Sequence, residues 1–257
     1  MNLEVLLSCM YQEDMSIALR TRIQFDLLII NQCNKDESVE NICDGHRIRM
    51  ISSTERGLSK SRNMALENAC GDICLICDDD ERLVDNYSGI ILDAFEAHPD
   101  ADIIAFNFKN PYRTFPLKQK RIGYIGALRL ASWQIAFRKK SIIDNHIRFD
   151  ETMGAGVTMG GGEENKFLLD CLKKGLSIIY LPIYIGSVSQ EASTWDLTKE
   201  NAASYFQDRG EAYGKIMGKW LGAAYIIYSS IRKYGYYTQY TKWLNSIKQQ
   251  LIGLYRK

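Results

Sequence analysis

The sequence predicts an α/β domain whose central sheet is mostly parallel and flanked by helices, with a helical region at the C-terminal end. Three observations carry this prediction. Short apolar runs with the length of buried strands alternate with amphipathic segments through the first half of the chain. Only four prolines interrupt 257 residues. From about residue 198 the pattern is typical of helices.

The predicted elements follow one another as a parallel sheet requires. Strands are expected at 4–10, 26–33, 46–53, 72–77, 101–108, 132–138 and 176–182, and helices at 57–70, near 86–97 and at 163–174. In such sheets ligands bind beyond the carboxyl ends of the strands. We therefore expect the functional side chains to lie where the strands end.

Composition and charge bound the class of protein. A hydrophobic fraction of 46% with 25% charged residues is typical of a globular enzyme. The N-terminus has no signal-peptide pattern, and no stretch reaches the roughly 20 apolar residues of a membrane span. Seven cysteines without dense spacing indicate reduced thiols, so we expect a cytoplasmic protein.

Four consecutive acidic residues follow the predicted strand 72–77, namely Asp78, Asp79, Asp80 and Glu81. The run is either a solvated turn or a cation site. Alternate residues of an extended chain point to the same side, which brings Asp78 and Asp80 together. Paired carboxylates without His or Cys favour Mg²⁺ or Mn²⁺. We expect a divalent-cation site here, with Glu81 solvated.

A glycine-rich segment precedes the predicted helix 163–174. On that helix Glu164 falls on the apolar stripe, while Glu163 falls on the polar one, where a first-turn glutamate complements the helix dipole. A carboxylate on the inward stripe needs a solvated cleft or a chemical task. Glu164 therefore predicts a general base in a pocket.

Arg62 shares a predicted helical face with Leu58, Ala65, Leu66 and Ala69. Two interpretations stay open for it. The arginine either extends to the edge of the core or pairs with a core acid, or its guanidinium reaches a phosphate or nucleobase at the same end of the sheet.

Together these motifs resemble the signature of family 2 glycosyltransferases. "GLSKSRNMALENACGDICLICDDDE" resembles that family's helix followed by a strand with an Asp-x-Asp motif. "GAGVTMGGGEENKFLLDCLKKG" resembles its glycine-rich loop followed by Glu-Asp and a helix. The resemblance implies a GT-A fold and an inverting transfer of a sugar from a nucleotide diphosphate donor. It implies a catalytic domain at 1–197, with a nucleotide-sugar half at about 1–110 and an acceptor half at about 111–197, followed by a helical, basic and aromatic region at 198–257.

The resemblance also implies roles for single residues. Asp78 and Asp80 match the metal-binding Asp-x-Asp positions, with Asp80 in the more direct contact, and Glu164 matches the general base. Expected donor-binding residues are Ser8, Asn31, Arg62 and Asp79, and expected acceptor-binding residues are Glu163 and Trp133. The cofactor implied is Mn²⁺ or Mg²⁺, and the partners implied are a nucleotide sugar, UDP-linked by preference, and a glycan or lipid-linked acceptor of cell-surface polysaccharide assembly.

The sequence departs from the family pattern at three places. Glu stands where the family usually has Asp as the base, which leaves the division of roles between Glu163 and Glu164 open. "NQCNKD" replaces the usual acidic nucleotide contact, where Asn31 or Asp36 is a substitute. The usual downstream metal-binding histidine is absent, and Gln190 or Glu191 is the alternative.

Between Tyr213 and Lys257 the chain has eight basic residues and no acidic one. A helix there would place Trp243, Leu244, Ile247, Leu251 and Leu254 on one apolar face. This pattern fits an interfacial helix on an anionic membrane surface. It fits equally a helix that packs on its own domain or on the partner of a homodimer. The acidic remainder of the chain argues against nucleic acid as a partner.

Two other functions compete with glycosyl transfer. A sugar-nucleotide pyrophosphorylase also combines a nucleotide-binding sheet with acidic metal ligands, but it should carry a glycine-rich, basic loop after the first strand. Here "SCMYQEDM" has neither feature. A non-catalytic scaffold that binds glycan or membrane is the other alternative.

Overall fold

The computed structural model describes residues 1–110, 114–157, 161–188 and 197–256. The strands are β1 Leu3–Met10, β2 Leu27–Gln32, β3 Glu37–Cys43, β4 His46–Ser53, β5 Ile73–Asp78, β6 Glu81–Leu83, β7 Ile103–Lys109, β8 Lys120–Arg121, β9 Ile135–Arg138 and β10 Ile178–Val188. The helices are α1 Ile17–Thr21, α2 Leu58–Asn68, α3 Tyr87–Ala97, α4 Tyr124–Ala127, α5 Lys139–Asp144, α6 Glu163–Lys173, α7 Ala202–Arg232, α8 Tyr234–Tyr237 and α9 Trp243–Leu254, with a 3₁₀ turn at Ser132–Gln134.

These strands form one mixed sheet with the order β3-β4-β2-β1-β5-β9-β7-β10-β6, and β8 pairs with β10. The neighbours β4-β2-β1-β5 are all parallel, so their carboxyl ends meet at one edge. The antiparallel β9 separates this half from the parallel pair β7 and β10. The predicted fold class, a mostly parallel sheet flanked by helices, is confirmed.

The inner strands are buried because helices cover both faces of the sheet. Alternate residues of β1 and β2 enter different apolar clusters: Leu7 and Ile29 pack on one face, and Leu6 and Leu28 on the other. The edge strand β3 was not predicted. All seven of its residues are exposed, so it lacks the apolar pattern that reveals the inner strands.

The C-terminal helices pack against each other and against the α/β body. Gly210 of α7 and Gly253 of α9 lie so close to the backbone of the opposite helix that any side chain there would clash with it. Ile216 of α7 enters the core beneath α6. The C-terminal helices are therefore joined to the α/β body by apolar packing.

This packing alters the expected role of the α9 apolar face. Ile247, Leu251 and Leu254 pack against α7, and the indole N–H of Trp243 donates to the carbonyl of Ser230 at 3.0 Å. Leu244 remains 72% exposed. Most of the apolar face that was predicted to bind a membrane therefore packs against other parts of the protein. Across the described ranges, no helix combines the length and apolar character needed to cross a bilayer.

Candidate active site

The acidic run lies at the carboxyl edge of the parallel strands, as predicted. Asp78 is the last residue of β5 and pairs in register with Ser8 of β1. Asp79 and Asp80 form the turn into β6. The Ser8 hydroxyl accepts a hydrogen bond of 2.8 Å from Ser61 of α2, which ties the start of this helix to the same edge.

Arg62 joins three elements at the centre of this edge. Its side chain is buried, and one guanidinium nitrogen donates to both oxygens of Asp78, at 2.9 and 3.1 Å. The other terminal nitrogen donates to Glu163 at 2.8 Å. Burial acts to lower the pKa of Arg62, but Asp78 and Glu163 outweigh it, so the pKa is raised and the guanidinium stays charged. Of the two interpretations of Arg62, pairing with internal acids is the one observed.

This ion pair argues against Asp78 as a direct metal ligand. Besides Arg62, the Ser132 hydroxyl donates to the Asp78 carboxylate at 3.0 Å. Three hydrogen bonds therefore already occupy its two oxygens. In this arrangement Asp78 holds Arg62, and direct metal binding by Asp78 is disfavoured.

Asp79 and Asp80 are exposed at the tip of the turn. Neighbouring protein atoms nevertheless displace part of the water around the Asp80 carboxyl. This desolvation, together with the nearby charge of Asp78, raises the pKa of Asp80 to about 6. The expectation that Glu81 is solvated is wrong. Glu81 is buried, and one of its oxygens accepts the backbone N–H of Asp78 at 3.0 Å, so Glu81 fixes the turn that presents Asp80.

The predicted apolar stripe of α6 is largely observed, since Phe167, Leu168 and Cys171 are buried. The expectation for Glu163 is wrong: Glu163, placed on the polar stripe, is buried against Arg62. Glu164 is only partly buried. The expected acceptor-binding role of Glu163 is not supported, because the described contacts commit its carboxylate to the Arg62 ion pair.

Glu164 lines a cavity of about 410 Å³ between the 128–130 loop, the start of α6 and the helix α7. Gly161 and Gly162, directly before α6, have positive φ angles of 57° and 88°, a conformation that glycine adopts without strain. Burial and the nearby charge of Glu163 raise the pKa of Glu164 to about 8. A carboxylate beside a ligand-sized cavity with a pKa near neutrality has the properties of a general base.

The expected donor contact at Asn31 is not available in this arrangement. Asn31 is fully buried, and its amide group bonds the backbone N–H and carbonyl of Gln12, at 2.9 and 2.8 Å. Its role is to hold the loop after β1. Asp36, the alternative, accepts the backbone N–H of Thr54 at 2.7 Å and so supports the end of β4.

The loop after β1 presents a side chain that sequence reasoning missed. Tyr11 is 59% exposed, has a positive φ of 52°, and lies under the Arg56 guanidinium with 5.5 Å between the charge and the ring centroid. An aromatic residue directly after the first predicted strand was the sequence signal that could have identified it. It offers a flat surface at the carboxyl edge of β1.

Trp133 lies in the core. It is 8% exposed, with ring centroids 5.2 Å from Phe108 and 6.0 Å from Phe115. Its ring therefore packs against protein, and stacking on an acceptor sugar is not supported. Trp133 is therefore a core residue.

The residues at this edge fit a divalent cation in part. Within 1–110, 114–157, 161–188 and 197–256, no group of three His, Cys, Asp or Glu side chains is arranged to hold a metal ion. Exposed carboxylates at Asp79 and Asp80 nevertheless suit Mg²⁺ or Mn²⁺, which often take one or two carboxylates together with substrate phosphates and water. Gln190 and Glu191, the expected substitutes for a third ligand, lie outside the described residues.

The comparisons with known proteins agree with the fold and the motif order. The family model for glycosyl transferase family 2 matches residues 3–160. The chain therefore belongs to glycosyl transferase family 2, and it is a glycosyltransferase that uses a nucleotide sugar. A comparison with curated proteins gives no significant match.

Solved structures with the same fold differ widely in sequence. The S. aureus TarS 1–349 structure matches with a TM-score of 0.60 at 13% identity, over 98% of this chain and 89% of that one. TarS 1–349 with UDP-GlcNAc matches with 0.57 at 15%, over 84% and 68%. The Pyrobaculum calidifontis mannosyltransferase PcManGT, in complex with GDP-Man and Mn²⁺, matches with 0.58 at 11%, over 99% and 87%. These likenesses establish the GT-A fold.

Proposed function

We propose that this protein is a metal-dependent inverting glycosyltransferase that acts in cell-surface polysaccharide assembly. Its donor would be a nucleotide diphosphate sugar, a UDP-sugar by preference, and its acceptor a hydroxyl of a glycan or lipid-linked glycan. The observation that carries the proposal is the position of Glu164. This carboxyl group has a raised pKa and lines a cavity next to the Arg62–Glu163 ion pair.

Glu164 is the proposed general base. Its carboxylate takes the proton of the acceptor hydroxyl while that oxygen forms a bond to the anomeric carbon of the donor sugar. The bond between that carbon and the diphosphate oxygen breaks on the opposite face, and the electron pair leaves with the nucleoside diphosphate. Attack from the face opposite the leaving group inverts the anomeric configuration.

The carboxyl edge of β1 and β5 is the proposed donor site. Asp80, assisted by Asp79, would hold Mn²⁺ or Mg²⁺, which supplies Lewis-acid stabilisation of the diphosphate. Asp78, Arg62 and Glu163 position this edge through their mutual hydrogen bonds. We also assign Tyr11 to the nucleoside, because an exposed ring at this edge can stack on a base.

Nucleotide release from a donor sugar tests the proposal. Purified protein with Mn²⁺ should slowly release UDP from UDP-GlcNAc or GDP from GDP-Man, and Asp80→Asn should reduce this release. Asp144→Asn, an exposed carboxylate that pairs with Lys140 on α5, is the matched control. A non-catalytic scaffold would release neither nucleotide. A pyrophosphorylase would instead form pyrophosphate from UTP and a sugar phosphate.

The second half of α7 supports association with an anionic membrane surface. Trp220 is 88% exposed and Leu221 67%, and the exposed Lys219 precedes them. Exposed aromatic and apolar residues beside basic ones favour the interface of a negatively charged bilayer. Such a location would suit an acceptor linked to lipid.

Vesicle sedimentation tests this membrane proposal. Removing residues from Tyr213 onwards would disturb the packing of α7, so surface substitutions are the better probe. Trp220→Ser combined with Leu221→Ser should abolish sedimentation with phosphatidylglycerol vesicles, whereas Leu117→Ser, an exposed leucine outside the helical region, should not. Equal sedimentation of the double variant and the wild type would refute the proposal. Loss of a dimer in the double variant would assign this face to a second copy.

A further inference from the structure

The cavity beside Glu164 continues into a second cavity of about 890 Å³. The two share four lining residues, Arg129, Leu130, Arg232 and Lys233. We call the joined cavities the basic groove. Each cavity has the size of a small-molecule site.

Positive charge dominates this groove. Its lining includes five basic side chains, namely Lys120, Arg129, Arg209, Arg232 and Lys233, and one acidic side chain, Glu164. The chain as a whole has a formal net charge of only +1. The excess of cations is therefore a local feature of the groove.

Of these cations, Arg209 gives the most information about what the groove could bind. Its terminal nitrogens donate to the hydroxyls of Tyr205 at 3.3 Å and Tyr213 at 2.6 Å, and its buried Nε has no hydrogen-bond partner among the described residues. The acids nearest to it along α7 are committed elsewhere: Asp208 pairs with Arg256, and Glu211 with Lys215 and Arg256. Among the residues that the structure describes, Arg209 thus faces the groove without a carboxylate to balance its charge.

The other two arginines of the groove are Arg129 and Arg232. Within the described part of the chain, neither forms an ion pair with a carboxylate, and Arg232 donates only to the hydroxyl of Tyr228 at 3.2 Å. An arginine held by tyrosine hydroxyls keeps its charge and the remaining N–H groups of its terminal nitrogens, and such donors match the oxygens of a phosphate or carboxylate. Several such groups around one cavity focus the field and attract an anion.

We propose that the acceptor is anionic and that its phosphate or carboxylate group binds in the basic groove, bringing a nearby hydroxyl to Glu164. This inference rests on the proposed function and names its acceptor class. The groove belongs to the acceptor because residues after β7 and on α7 line it. The proposed donor site lies at the carboxyl ends of β1 and β5.

Anion titration in the presence of saturating UDP and Mg²⁺ tests the proposal, because the donor site is then filled. Inorganic phosphate, glycerol 3-phosphate, glucuronate and glucose are titrated separately by calorimetry. The variants are Arg209→Gln and Arg232→Gln. Arg121→Gln is the matched control, since Arg121 is an exposed arginine of β8 that does not line the groove.

We expect at least one of the anions to bind, and each groove substitution to weaken its affinity about tenfold, whereas Arg121→Gln leaves it unchanged. A preference for glycerol 3-phosphate would assign the site to a phosphate, and a preference for glucuronate to a carboxylate. Arg232 is exposed, so its variant remains informative if Arg209→Gln folds poorly.

Three results would overturn the proposal: no anion binds, glucose binds as tightly as the anions, or the groove variants bind anions as well as the wild type does. Failure of both UDP and GDP to bind would instead refute the proposed function. The two failures are therefore distinguishable.

Discussion

Two arginines at the proposed catalytic centre are held in opposite ways. Arg62 is buried between two carboxylates, Asp78 and Glu163. Arg209 is held by two tyrosine hydroxyls. A guanidinium whose charge is balanced inside the protein fixes elements relative to each other, whereas one whose charge is left unbalanced beside a cavity is available to a ligand. The comparison separates the framework of this site from the part that we propose binds substrate.

The largest expected effect comes from removing the balanced arginine. Arg62→Ala leaves the buried Glu163 carboxylate without its partner and removes the charge that balances Asp78, so it should lower the free energy of unfolding by about 3–5 kcal/mol. Urea denaturation measures it. Arg148→Gln, which removes a surface ion pair with Glu67, is the control and should cost less than about 1 kcal/mol. If Arg62→Ala costs no more than this control, the framework role of Arg62 is wrong.

The pH dependence of transfer should report on Glu164. Its raised pKa means that the carboxyl group is protonated below about pH 8 and cannot accept a proton there. The rate should therefore rise with pH and level off above 8, with about a tenfold loss for each unit below the pKa. Saturating Mg²⁺ keeps Asp80, whose pKa is about 6, from adding a second inflection. A flat profile between pH 6 and 9 would contradict the base assignment.

The smallest effect on stability is expected at the unbalanced arginine. Arg209→Gln removes hydrogen bonds to two tyrosines but leaves no carboxylate unpaired, so the free energy of unfolding should change by about 1 kcal/mol or less. Urea denaturation alongside Arg62→Ala measures the difference directly. A loss as large as that of Arg62→Ala would mean that Arg209 is also part of the framework.

The sequence predicted the local features of the site well. Strand ends, the acidic turn and the start of α6 lie within short stretches, so periodicity and motif order located them. Periodicity also placed Phe167, Leu168 and Cys171 of α6 in the core. It did not show that Glu163 in the first turn is buried, because the partner that holds it there is distant in the sequence.

The remaining features depend on contacts between distant residues. Arg62 and Glu163 are 101 positions apart, so no local pattern shows that their ion pair occupies Asp78 as well. The basic groove combines the 128–130 loop with α7 residues, which are about eighty positions further along the chain. In the sequence, Arg209 is one more charged residue on an amphipathic helix.

Nucleotide release by the Glu164→Gln variant is the sharpest test of Glu164 as the general base. The substitution keeps the shape of the side chain and removes its ability to accept a proton. With UDP-GlcNAc or GDP-Man, whichever the wild type hydrolyses, and Mn²⁺, we expect a rate about 10²–10⁴-fold lower than that of the wild type, with unchanged affinity for the nucleoside diphosphate. Asp170→Asn, on the outer face of the same helix, is the control. If the Glu164→Gln variant releases nucleotide as fast as the wild type, Glu164 is not the general base.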